Sequence, residues 1–197
     1  LYSRFFMKAL KYKNNDFKFS EPFHGLFTQG MVCHETYKDE NNNWISPEDV
    51  EFIENKFKKK DNPKSIVKVG PSESMSKSKK NVIDPENIIK DYGADAVRLF
   101  MLSDSPPEKD VQWSDEGIRS SYKFLQKLWV LNQKIIEEIQ ANHQSNSNND
   151  LERITNKFIK EITHNIESFS YNKIIANFHE IFTALNKIII NKIEKKK

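Results

Sequence analysis

Apolar positions change their spacing twice along the chain. Leu1 to Tyr12 places apolar residues at helical intervals, which predicts a helix. Phe17 to Phe27 carries Pro22 and Gly25 and reads as a loop, whereas Leu26 to Tyr37 is rich in β-formers and reads as a strand. A polar stretch from Lys38 to Asn43 predicts a hairpin-like turn into a second strand at Trp44-Ile45, with a capped turn at Ser46-Pro47-Glu48-Asp49-Val50. Ile66 to Val69 reads as a short strand ending at Gly70-Pro71. From Asp84 the helical period returns, with Asp84 as N-cap and Pro85 at the first position, where its missing N–H would have had no partner. That helix runs to Tyr92, where Gly93 can turn left-handed and stop it, and a second runs from Ala94 to Leu102.

Ser105-Pro106-Pro107 marks the best domain boundary, dividing residues 1–105 from 106–197. Beyond it, Ser114 is the expected cap of a long amphipathic helix striped by Ile118, Tyr122, Leu125, Trp129, Ile136 and Ile139. Asn142 to Asn149 reads as a polar linker. Two further stripes follow, Ile154, Phe158, Ile162 and Ile166, then Ile174, Phe178, Ile181, Leu185, Ile188 and Ile189. Three helices with short links predict part of an antiparallel bundle, so the fold class is mixed α and β, helix-rich. No internal repeat is apparent.

Composition narrows the function classes. The formal charge of +3 is too weakly basic to argue for nucleic acid, yet lysines gather at Lys56 to Lys60, Lys77 to Lys80 and Lys192 to Lys197. Each cluster could neutralise phosphates, and a solvated face is the plainer reading of the first and last. Cys33 is the single cysteine, which excludes an internal disulfide and a multi-cysteine zinc site and suits a small buried strand residue in a reducing, cytoplasmic setting. His24 and His34 lack an acidic or cysteine partner at ligand spacing, so no metal site is expected. No apolar run reaches membrane-spanning length, and Leu1 to Leu10 lacks the flanks of a secretory signal. Leu1 opens without an initiator Met or a helix cap, inside an apolar helical face, so a fragment is expected.

The candidate chemistry lies in Glu73-Ser74-Met75-Ser76-Lys77-Ser78-Lys79-Lys80-Asn81, a Ser/Lys loop delivered directly to a helix N-terminus. Ser74 to Ser78 resembles the KMSKS signature loop of the class I aminoacyl-tRNA synthetases, and the continuation through Val82-Ile83-Asp84-Pro85 to Asp95-Ala96-Val97-Arg98-Leu99-Phe100 is similar to theirs. The Lys79-Lys80-Asn81 sequel resembles the leucine-specific members, since the isoleucine and valine enzymes usually place an apolar residue and Gly before the Asn. Leu1 to Phe6, Pro22 to Val32 and Met101 to Ser114 resemble further segments of that family, and the likeness runs to about Leu131. The family's HIGH motif has no counterpart here.

The resemblance implies the C-terminal part of a Rossmann-like catalytic domain followed by an incomplete helical tRNA-docking bundle. It implies a leucine–tRNA ligation with ATP and Mg²⁺ as co-substrates, tRNA(Leu) and leucine as partners, and a monomer. The fragment alone is expected to be inactive. In such an activation the substrate carboxylate attacks the α-phosphorus already ionised, so the protein supplies position and cations rather than a base. Lys77 is the implied catalytic lysine, with Met75, Ser76 and Ser78 shaping the ATP loop, and Gly30 and Met31 lining the adenosine pocket, where glycine permits close approach. An ordinary core glycine is the competing reading of Gly30. The departure is Ser74, where the family's pattern has lysine. Arg98 is expected to pair with Asp95, and Trp113 and Trp129 to anchor the bundle core. The alternatives are a class I synthetase for methionine, isoleucine or valine, or a non-catalytic tRNA-docking module.

Overall fold

The computed structural model describes residues 1–14, 16–141 and 149–194. The linker expected at 142–149 lies outside them apart from Asn149, as do Lys195 to Lys197 of the last lysine cluster and the side chain of Ile189. The elements in order are α1 (Tyr2–Lys11), β1 (Val32–Lys38), β2 (Trp44–Ile45), β3 (Val50–Ile53), β4 (Lys56–Lys59), β5 (Lys68–Ser74), α2 (Pro85–Tyr92), α3 (Ala94–Ser103), β6 (Val111–Gln112), α4 (Asp115–Ala141), α5 (Asn149–Glu167) and α6 (Tyr171–Glu194).

β1 is the strand that organises the first half. β5 pairs antiparallel along one edge of it, while β2 and β6 take opposite ends of the other, β2 antiparallel and β6 parallel. Its start at Val32 is six residues later than Leu26, where the β-forming composition begins. Leu26 is 90% exposed, and the N–H groups of Gly30 and Met31 are drawn sideways to the Pro107 carbonyl (2.8 Å) and an Asp110 carboxylate oxygen (2.8 Å) instead of into the ladder.

β5 runs past Gly70-Pro71, where the strand was expected to end, and reaches Ser74. A bulge makes this possible. The register passes from Glu35 opposite Ser72 to Thr36 opposite Gly70, so Pro71 is the extra residue and its missing N–H needs no ladder partner. Thr36, 1% exposed, donates its hydroxyl to the Pro71 carbonyl at 3.1 Å, and a Cβ on Gly70 would stand 2.5 Å from that hydroxyl oxygen. Only glycine lets β5 close over Thr36.

Two small cores flank this sheet. Tyr37, Ile45 and Val67 pack with Val50 and Phe57, so the β3–β4 hairpin covers one end of β1. Burial pushes the Tyr37 hydroxyl well above the usual phenol range, and the hydroxyl donates to Glu35 at 3.0 Å. The expected polar turn forms around Asp39, whose carboxylate accepts the Asn41 and Asn43 N–H groups at 2.9 and 2.8 Å. Phe100, Val111 and Ile118 form the second core with Ile88, Tyr92, Met101 and Trp113, joining α2, α3, β6 and α4. The Ser105-Pro106-Pro107 segment therefore leads first into β6, which returns to the sheet, and only then into the bundle.

The expected helix signals act as capping devices. Asp84 accepts the Glu86 N–H at 2.9 Å with Pro85 opening α2, and Ser114 Oγ accepts the Gly117 N–H at 3.1 Å at the head of α4. Gly93 stops α2 at positive φ (81°) but with ψ of 156°, an extended mirror conformation rather than the left-handed helical one, because it must also open α3. Asp95 and Arg98 pair at 2.8 Å, both largely exposed, so the pair contributes little.

In the bundle α6 packs against α5, α3 and α4. The buried face of α4 is Ile118, Ser121, Phe124 and Leu131, turned from the expected stripe. Trp129 is 68% exposed and anchors no core, whereas Trp113 packs edge-on against Phe100 and donates its indole N–H to Asp115. The reason is lateral: α6 lies over the Phe124 side of α4, where the Phe124 ring meets His179 and Phe182. On α5 a buried polar link replaces the last turn of the stripe. Asn165 donates to Asn177 (3.0 Å), which donates to Glu161 (3.1 Å), and Ile166 faces outward.

Candidate functional site

The C-terminal end of β5 and the N-terminal end of β1 lie side by side, and the Ser/Lys loop leaves from there. Ser74 is still a strand residue, opposite Cys33, and the Met75 N–H donates to the Val32 carbonyl at 3.0 Å. Ser76 is extended, and Lys77 to Lys79 make one tight 3₁₀ turn whose amides return to Ser76 and Lys77. The Lys77 and Ser78 side chains are exposed at its tip, and the Ser76 and Ser78 hydroxyls hydrogen-bond at 2.7 Å. Lys80 closes the turn at φ 54°, in the left-handed region. In the isoleucine and valine pattern that position is glycine, which adopts this conformation without the cost a side chain carries.

The loop's base is held by a single amide. Asn81 is wholly buried; its side-chain oxygen accepts the Ser76 N–H at 2.8 Å, and its NH₂ faces the carbonyls of His34 (3.2 Å), Glu73 (3.1 Å) and Ser74 (3.5 Å). One N–H on one side and three carbonyls on the other leave only one orientation of the amide. Lys79 is turned away from the tip into an ion pair with Glu73, so it does not stand free to replace the lysine lacking at Ser74. Of the loop's lysines, Lys77 and Lys80 are exposed, and Lys77 is the one within the turn at the tip.

Gly30 and Met31 are the two residues that lead into the same end of β1, so the chain brings together the two groups expected to line a nucleotide site. Met31 is 56% exposed beside the loop. Gly30 meets its own chain closely: a Cβ there would lie 2.0 Å from the Lys109 carbonyl oxygen and 2.6 Å from the Asp110 nitrogen. The close approach that requires glycine is therefore made by residues 109–110, a contact invisible in the sequence. Sequence reading also passed over Glu73, Asp110 and the clamping role of Asn81; for Asn81 the only signal was its place directly after the loop.

The helical half carries a second candidate surface. Between α4 and α6 a groove of about 400 Å³ is lined by Lys123, Lys127 and Lys134 with Val130, Leu131 and Phe182, a basic rim around an apolar floor.

A family model described as tRNA synthetases class I (I, L, M and V) matches residues 54–114. The chain is 46% identical over 189 residues to the leucine–tRNA ligase of Rickettsia bellii (strain RML369-C), covering 96% of this chain and 22% of that protein. It is 43% identical over 204 residues to the leucine–tRNA ligase of Bartonella quintana (strain Toulouse), covering 98% and 22%. The chain thus spans about a fifth of the length of the curated relatives it matches. Among solved structures, the Agrobacterium radiobacter K84 agnB2 LeuRS in ternary complex with tRNA and LeuAMS shares the fold, with a TM-score of 0.65 at 23% identity over 94% of this chain and 21% of that one.

Proposed function

From a chain that belongs to the leucine–tRNA ligases of the class I tRNA synthetases, we propose that residues 1–105 supply the ATP-loop part of a leucine–tRNA ligase. That ligase forms leucyl-adenylate from leucine and Mg·ATP and passes leucine to tRNA(Leu), acting as a cytoplasmic monomer. The observation that carries the reading is Lys77, exposed at the tip of a one-turn loop whose base is locked beside Gly30 and Met31. Leucine's carboxylate attacks the α-phosphorus and the bond to pyrophosphate breaks; charge moves onto the leaving oxygens, and Lys77 meets it there. Ser76, Ser78 and the Met75 backbone shape the loop around the phosphates. Mg²⁺ arrives with ATP as part of the substrate. Residues 106–197 dock tRNA, and the Lys123, Lys127 and Lys134 groove suits phosphates, which fix register without reading sequence.

The test is Lys77→Ala in a whole ligase containing this chain. Adenylate formation, followed by leucine-dependent ATP–pyrophosphate exchange, should fall by about 3 kcal/mol of barrier with leucine affinity unchanged. Near-normal exchange would refute the role of Lys77.

A further inference from the structure

Resting on that reading, we propose that Asn81 is a positioning residue for adenylate formation: it sets where Lys77 stands without touching substrate. Among the described residues, Asn81 is the side chain that hydrogen-bonds the backbone at both ends of the loop. Through Ser76 it fixes the residue before the lysine, through Glu73 and Ser74 the end of β5, and through His34 the neighbouring strand β1. These bonds connect backbone groups of the loop and two strands across a site that is 0% exposed, where water cannot substitute for a lost partner. The exposed tip at Lys77 and Ser78 can thus close over a nucleotide while the base of the loop is not free to drift. A positioned cation loses most of its effect when displaced by about 1 Å, so the clamp governs rate rather than binding.

The geometry also ranks the substitutions. Asn81→Ala removes the acceptor of the Ser76 N–H and the side-chain donor shared by three carbonyls. Asn81→Asp keeps an acceptor for Ser76 but turns a carboxylate oxygen toward the carbonyls of His34, Glu73 and Ser74. Asn81→Ser is the mildest, with a hydroxyl too short to span the site. All three should slow the same step.

The experiment measures two steps separately in a whole ligase containing this chain: single-turnover formation of leucyl-adenylate, and transfer of leucine to tRNA from adenylate already formed. Asn81→Ala should slow the first by about a hundredfold and leave the second within about twofold, a split that general loss of folded enzyme would not produce. Amide exchange on the 197-residue chain should rise at Ser76 and the residues next to it, and not in α4. If Asn81→Ala fails to fold, the same split is read from Asn81→Ser. Equal slowing of both steps would reduce Asn81 to a fold residue and overturn the proposal. Normal adenylate formation in Asn81→Ala beside a slow Lys77→Ala would overturn it alone. Normal rates in both would remove the ATP-loop reading and this inference with it.

Discussion

Residues 1–31 and the 73–81 loop invert the usual relation between polarity and burial. The first segment holds Phe5, Phe6, Leu10, Phe19, Phe23 and Leu26, yet none of its described residues is buried. It is held by Glu21, which takes a two-pronged hydrogen bond from Arg4 (2.7 and 2.9 Å) and lies 3.4 Å from Lys8, by a Phe27–Phe169 ring stack, and by the Gly30 contact. The second segment is mostly serine and lysine, yet it ends on one of the three largest fully buried side chains among the described residues, Asn81. Side-chain chemistry does not by itself decide what is buried. What stands opposite decides it: α1 has little packed over its apolar face, whereas Asn81 sits among four backbone groups that need partners.

Three substitutions or conditions probe this contrast. The largest effect belongs to Gly30→Ala, because the new methyl must displace the backbone at Lys109 and Asp110 rather than a flexible side chain. Overpacking of this kind should cost about 1–3 kcal/mol in urea unfolding. Unchanged stability would show that residues 1–31 are not held against residues 107–110 there. Lys80→Gly should move stability the other way, by about 0.5 kcal/mol, relief of the left-handed φ of 54° being partly offset by glycine's greater chain entropy. A clear loss in the same denaturation would mean that the Lys80 side chain holds the loop and the polar clamp does not suffice.

The smallest effect is pH-dependent and confined to the first segment. Glu21 is held at about 2 against an ordinary 4.5, chiefly by its hydrogen bond to Arg4 and also by Lys8. A depressed carboxyl stabilises fully above its unfolded value and loses that contribution as pH falls toward the folded one. The tether of α1 should therefore weaken between about 4.5 and about 2. Amide exchange near Arg4 and Glu21 should rise in that window while exchange in α3 and α4 stays level; a parallel change in both would break the contrast.

Much of the fold was legible because its signals are local. Asp84-Pro85, Gly93 and Ser114 place helix ends through groups within four residues of one another, and the structure uses each of them. The Ser/Lys loop was legible for the same reason, as a contiguous motif. The strand starting at Val32 rather than Leu26, β5 passing through Pro71, and the outward Trp129 were not, since each depends on a distant partner: residues 107–110, Thr36 and α6 respectively.

The sequence by itself determined the helices, their caps and the family to which the loop belongs, because spacing and capping act within a turn or two of chain. Only the tertiary structure decided how that loop is held and which of its lysines is drawn into an ion pair. Asn81 reaches back to His34 across 47 positions, and Lys79 is paired by Glu73. The reason is physical: a buried amide takes its role from the backbone groups that the fold gathers around it, and those come from β1 and β5 as well as from the loop itself.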